Sequence, residues 1–274
     1  MISFKSISLA VAISAATFSL AQSSALAQEG GHGPTPHMEK WSFAGMFGTY
    51  DKAQLQRGFR VYREVCSACH SLSRLRIGNL ADEGGPGFSE GQVKALAAEY
   101  QIKDFNDKGE PIQRPGFPSD NFPKIFANED AAAAVHGKAP PDLSVIAKAR
   151  SYSRGFPFFL LDMLPGVAYQ EHGPDYIHAL LNGYTKPDDT KWNEYFPGNQ
   201  IAMPKPLSDD QVDYTDGSPK TVEQYSRDVA AFLMWAAEPK LEERKRTGLN
   251  ALIFLFIFAG LLYFTKKKIW ADAH

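Results

Sequence analysis

Cys66-Ser67-Ala68-Cys69-His70 is the stretch from which the rest of the chain can be read. Two thiols about one helical turn apart can add to the two vinyl groups on one edge of a porphyrin. The histidine that follows then lies beneath the ring and offers an imidazole nitrogen to iron. C-x-x-C-H is the attachment pattern of a c-type haem, and it uses both cysteines of the 274-residue chain. A thioredoxin-like disulfide would want a βαβ surround, which the flanking sequence does not supply. A zinc site would need two more Cys or His ligands at suitable spacing, and His136, His172 and His178 form no such pattern.

Working back from the motif, Asp51 with Gln54 three residues on reads as a variant capping box. Leu55, Phe59, Tyr62 and Val65 then recur at helical spacing. An amphipathic helix is expected here, delivering the haem motif at its end.

Both ends of the chain carry apolar segments. Residues 1–27 hold a single charge, Lys5, then a run from Ile7 to Leu20 and the small-residue site Ala25-Leu26-Ala27. That order is a secretory signal peptide, with cleavage expected after Ala27. The segment lacks the arginines of a mitochondrial transit peptide, which favours a bacterial source and a periplasmic destination. Residues 28–37, rich in Gly, Pro and His, read as an irregular arm. Near the other end, Gly248 to Thr265 would span roughly 27 Å as a helix, just enough for a bilayer core. Arg244-Lys245-Arg246 and Lys266-Lys267-Lys268 bracket it. The expected organisation is signal peptide 1–27, exported haem domain 28–246, transmembrane anchor 247–265 and cytoplasmic tail 266–274, in a bacterial inner membrane.

The formal net charge is -2, and no basic stripe with interleaved aromatics occurs, so nucleic-acid binding is excluded. Charges outside 28–246 remove four basic and one acidic residue, leaving 25 basic against 30 acidic and a net of -5 for the middle. A mildly acidic haem domain suits steering of a basic partner. Asp82, Glu83 and Glu90 are candidates for such a face.

An iron that only transfers electrons needs a sixth ligand, and a thioether favours the ferrous state. Met163 and Met234 lie in apolar stretches where packing explains them, and Met38 and Met46 sit close to the arm. Met203 falls in Tyr195-Phe196-Pro197-Gly198-Asn199-Gln200-Ile201-Ala202-Met203-Pro204-Lys205-Pro206, where prolines and a glycine make a stiff loop. It is the leading candidate, with His136 as its main competitor.

These residues together resemble the cytochrome c1 family, the haem subunit of ubiquinol–cytochrome c reductase. The resemblance rests on the helix entering Cys66–His70, on Pro140-Pro141-Asp142-Leu143-Ser144 with Ala149-Arg150, and on Tyr195–Gly198 with Ile201–Pro204. Its most specific part is Phe232-Leu233-Met234-Trp235-Ala236-Ala237-Glu238-Pro239 ahead of a basic cluster and an anchor. It implies a mainly α fold, with a class I cytochrome c-like haem domain, inserted loops and one C-terminal transmembrane helix. It implies one covalent haem c with His70 and Met203 on the iron, Arg150 near a propionate, Tyr176 and Phe196 against the ring, and Pro141 in the pocket. Residues between Arg150 and Tyr176 look like an insertion, Val135-His136-Gly137 stands where an asparagine-rich stretch is common, and the extra cysteine pair of several bacterial relatives is missing.

The expected function is single-electron transfer from the Rieske iron–sulfur protein to a soluble c-type cytochrome, in a membrane complex with cytochrome b. The enzyme activity, quinol oxidation, would belong to the complex; this chain performs no substrate chemistry of its own. A free-standing anchored carrier serving a terminal oxidase shares the haem chemistry. A haem sensor or peroxidase would need an open iron position.

Overall fold

The computed structural model describes residues 33–151 and 172–271. The expected signal peptide and Met163 lie outside them. Among the described residues the chain forms seven α-helices, two short 3-10 turns and one two-stranded sheet: a mainly α fold, as expected. The helices are α1 Lys52–Glu64, α2 Glu90–Ala98, α3 Glu129–His136, α4 Ile146–Ala149, α5 Gly173–Asn182, α6 Val222–Ala237 and α7 Leu241–Ile269.

α1 starts where the sequence says it should. The Asp51 carboxylate accepts from the backbone N–H groups of Ala53 (2.9 Å) and Gln54 (3.3 Å), satisfying donors that no helical carbonyl reaches. Leu55, Phe59 and Tyr62 are buried on one face. That face crosses α6, capped by Thr221, whose buried side includes Val229, Phe232, Leu233 and Trp235. Gly58 sets how close the two axes come. A Cβ there would stand 2.1 Å from the Asp228 carbonyl and 2.7 Å from the Phe232 Cβ. Around this crossing Phe59 meets Phe232 at 5.5 Å and Phe232 meets Trp235 at 5.6 Å between ring centroids, an aromatic cluster that adds to simple area burial.

A charge is buried beside the same crossing. Asp228 has no exposed surface, yet Arg57 grips it with two bonds, Nε to Oδ2 at 2.8 Å and Nη2 to Oδ1 at 3.2 Å. Gln224 adds a donor at 2.9 Å and Asp216 takes another Arg57 nitrogen at 2.8 Å. A buried carboxylate of this kind is tolerable only when it is paired and hydrogen-bonded, and both Asp228 oxygens accept.

α5 lies on the other side of α6, with Asn182 donating to Ser226 Oγ at 2.7 Å. It also fastens the segment ahead of α1: buried Asp175 accepts from the Trp41 indole (2.7 Å) and the Glu39 N–H (3.1 Å). Strands β1 Gln101–Phe105 and β2 Pro111–Pro115 form an antiparallel hairpin, Gln101 opposite Pro115 and Phe105 opposite Pro111.

α7 is one continuous helix of 29 residues, about 43 Å long. It contains the expected span, and its apolar window has no residue buried against the rest of the protein. Acidic Glu242 and Glu243 open it and Lys266, Lys267 and Lys268 close it, the polarity that a helix dipole favours.

The close approach at Gly58 yields a stability test. Gly58→Ala is expected to destabilise by about 3 kcal/mol, as forced overpacking does. Gly248→Ala, on the open side of α7 with nothing within 4 Å, should be neutral or slightly stabilising. Denaturant unfolding of the two variants measures both, and equal behaviour would refute the crossing geometry.

Candidate haem site

The haem motif leaves α1 through a single 3-10 turn, Cys66–Ala68. The His70 N–H closes on the Cys66 carbonyl at 2.9 Å and the Cys69 N–H on the same carbonyl at 3.1 Å. Ser67 Oγ donates to the Arg63 carbonyl at 2.7 Å, and the buried Tyr62 hydroxyl donates to the His70 carbonyl at 3.0 Å. The motif is thus tied to the helix before it by side chains as well as backbone.

Cys66 and Cys69 are half-buried and not joined to each other. Burial, with the neighbouring Cys69 adding to it, pushes the Cys66 thiol up to about 12.

His70 is held by a residue far along the chain. Its Nδ1 lies 2.7 Å from the Pro141 carbonyl oxygen. A carbonyl only accepts, so Nδ1 must carry the proton and Nε2 the lone pair. Burial lowers the His70 pKa; the Pro141 bond and Asp142 pull it the other way and nearby His136 adds to the lowering. A neutral imidazole with Nε2 as the electron donor is the form that binds iron.

The placement of Pro141 is itself engineered by the residues around it. Asp142 Oδ2 accepts from both the N–H (3.0 Å) and the Oγ (2.6 Å) of Ser73, and Oδ1 from the Ser144 N–H at 2.8 Å. The Arg74 N–H donates to Ser144 Oγ at 3.1 Å and the Leu143 N–H to the Ser71 carbonyl at 2.9 Å. Burial would raise the Asp142 carboxyl, but its bonds from Ser144 and Ser73 win and hold it below the usual range. These bonds clip residues 141–144 onto the segment just after the haem motif. The family resemblance implies Pro141 in the pocket but says nothing of the clip, although an Asp two residues before a Ser is a recognisable turn-forming pattern.

The loop bearing Met203 is as stiff as its prolines suggest. Trp192 and Gln200 form an isolated antiparallel bridge, and Asn199, at φ 59°, sends its side-chain amide to the carbonyls of Asn193 and Glu194, both at 3.1 Å. The Tyr184 hydroxyl donates to the Met203 carbonyl at 3.0 Å. Met203 is half-buried and packs on the core cluster, and Phe196 is half-buried in the same loop. Met234 is core, 1% exposed, and Met38 and Met46 are exposed. His136 ends α3 with its ring edge-on to Phe126 at 5.4 Å and is exposed.

Arg150, exposed at the end of α4, is close enough for its charge to act on the Tyr176 hydroxyl, which burial raises. The two helices touch closely: a Cβ on Gly173 would overlap the Ala147 carbonyl. Glu83 lies elsewhere, at the base of α7 with Glu242 and Arg246.

The donor set therefore fits a covalently attached haem: two unlinked thiols, a neutral histidine with Nε2 available, and a thioether on a braced loop. Comparison with known proteins agrees. Residues 41–273 match the Cytochrome C1 family. The chain belongs to that family. Its cofactor is one covalently bound haem c, and its role is in respiratory electron transport. Over 270 residues it is 51% identical to cytochrome c1 of Blastochloris viridis, covering 95% of each chain. It is 53% identical to cytochrome b/c1 of Bradyrhizobium diazoefficiens, covering 98% of this chain and 40% of that longer protein. The cytochrome b-c1 complex catalytic subunit of Candida albicans mitochondria is 41% identical over 87% of this chain and 78% of its own.

The Asp142 clip has a pH signature in this family member. A carboxyl whose folded pKa is depressed contributes stability above its unfolded pKa, near 4, and loses it as pH falls through the lower folded value. Asp142→Asn should cost about 2 kcal/mol at neutral pH and remove part of the loss of stability below about pH 4. Unfolding curves across that range check both; an unchanged acid limb would remove Asp142 from the account.

Proposed function

We propose that this chain is the haem-bearing electron-transfer subunit of a bacterial ubiquinol–cytochrome c reductase. It takes single electrons from the Rieske iron–sulfur protein and passes them to a soluble c-type cytochrome. In this reading residues 28–246 are periplasmic, 247–265 cross the inner membrane beside cytochrome b, and 266–274 are cytoplasmic. Family membership supports the complex, and the names of the relatives, one a fused cytochrome b/c1 and one a b-c1 subunit, point the same way.

The observation that carries the reading is the His70 arrangement, with Nδ1 fixed by Pro141 and Nε2 free to ligate. Bound haem supplies a one-electron ferric/ferrous couple. The chain's own residues do the rest. Cys66 and Cys69 would hold the haem by thioether bonds, His70 and Met203 would ligate its iron, Arg150 would neutralise a propionate, and Tyr176 and Phe196 would pack on the ring. A half-buried Met203 in a braced loop suits a shielded sixth ligand better than the exposed His136. With both positions filled by fixed protein groups, little rearrangement accompanies the change of charge.

Two measurements test this. A dithionite-reduced membrane preparation should show a c-type α band unmoved by carbon monoxide, together with a haem b signal. A c-type band alone would make the chain a lone anchored carrier, and a carbon monoxide shift would unseat Met203. Met203→Leu should bind carbon monoxide and lower the midpoint potential by on the order of hundreds of millivolts in a redox titration. If His136→Ala does so instead, the axial assignment is wrong.

A further inference from the structure

Where the haem domain meets α7 the protein forms a cleft of about 320 Å³, bordered by Phe47, Gly48, Glu83, Lys240, Arg246 and Leu249. One wall is a tight loop, residues 42–49, closed by the Thr49 N–H on the Ser42 carbonyl at 3.1 Å. Trp41, Phe43 and Tyr50 bury its two ends in the core, while its tip carries Met46 and Phe47 outward, 37% and 78% exposed. The fold of the tip requires Gly48, since a Cβ there would meet the Ala44 carbonyl at 2.0 Å.

This loop is bolted to α7. Lys245 Nζ donates to the carbonyls of Phe43 (2.6 Å) and Gly48 (3.1 Å), and the Tyr50 N–H donates to Glu242 Oε1 at 2.8 Å. Phe47 borders the same cleft as Leu249, the second residue of the apolar run that starts at Gly248. The tip therefore stands at the depth where α7 becomes apolar, and its exposed side chains continue the exposed apolar surface of that helix. Arg246, one turn before Leu249, is exposed and has no carboxylate in ion-pair range among the described residues. The neighbouring Glu243 is taken by Lys240 at 3.3 Å.

We infer that the loop is a second membrane contact, with Met46 and Phe47 seated in the interfacial zone of the leaflet next to α7 and Arg246 on a lipid phosphate. Apolar side chains beside cationic ones at this depth match the layering of acyl boundary and headgroup. A guanidinium is well suited to bidentate contact with phosphate. The inference rests on α7 being the bilayer span.

Spin labelling tests it on the full holoprotein, extracted with whatever co-purifies and reconstituted into phosphatidylcholine–phosphatidylglycerol vesicles. Haem attachment consumes Cys66 and Cys69, so a label on Phe47→Cys, with the unsubstituted preparation labelled in parallel as background, reports this site. Collision with oxygen against a water-soluble nickel chelate measures depth. Phe258→Cys on α7 and Phe105→Cys, 70% exposed on the hairpin, give the buried and aqueous references. Site 47, and Met46→Cys with it, should favour oxygen over nickel, at a shallower depth than site 258. Ranking with site 105 would put the tip in water and overturn the inference. Shielding from both reagents would mean that a protein subunit covers it, and also overturns it. Nickel access at site 258 would instead take down the span itself, a failure separable from the others.

Discussion

The crossing of α1 and α6 is what the other parts of this molecule lean on. α1 ends at the turn that carries Cys66, Cys69 and His70, and α6 ends at Ala237, with three residues between it and α7. Bringing those helices together at Gly58 fixes the haem motif and the membrane stalk in one frame. A side chain at that position would push the Asp228 carbonyl away and take with it the Arg57 grip on the buried carboxylate. Aromatic packing, a buried ion pair and a missing Cβ thus act at a single place, and none of the three is replaceable by another.

From that frame the haem site is assembled by clips over long sequence distances. His70 depends on a carbonyl seventy-one residues later in the chain, and that carbonyl depends on Asp142 and Ser144 being held by residues 71–74. Met203 depends on a bridge and an asparagine amide inside its own loop and on Tyr184 from outside it. The groups proposed as iron ligands are in this way positioned by second partners, as is common at metal sites.

How much of this was readable in the chain depends on whether the information is local. The cap at Asp51, the apolar stripe of α1, the C-x-x-C-H turn and the proline-braced loop around Met203 are local patterns, and the structure forms each of them. The segment after the arm drew no structural reading, yet Trp41 is core and bonds to Asp175, 134 residues away; no periodicity announces such a contact. The hairpin of β1 and β2 was equally silent, since its residues are mostly exposed or half-exposed and show no alternation of apolar and polar. Places for Arg150 and Tyr176 at the haem came only as what family resemblance implies, because an exposed arginine and an ordinary aromatic carry no signal of their own.

Only Glu238, Pro239 and Lys240 separate α6 from α7, and the joint is cross-braced. Glu238 pairs with Lys148 at 2.7 Å and with Arg244, while Lys245 and Glu242 grip the loop before α1. Bonds at so many points oppose hinging at the joint and favour domain and helix holding one orientation, like a mast stepped into a hull. The height of the haem motif above the bilayer is then a constant of the fold. Any shortening of the tunnelling gap to a donor or acceptor has to come from travel of the other molecule, with this one serving as the stationary electrode.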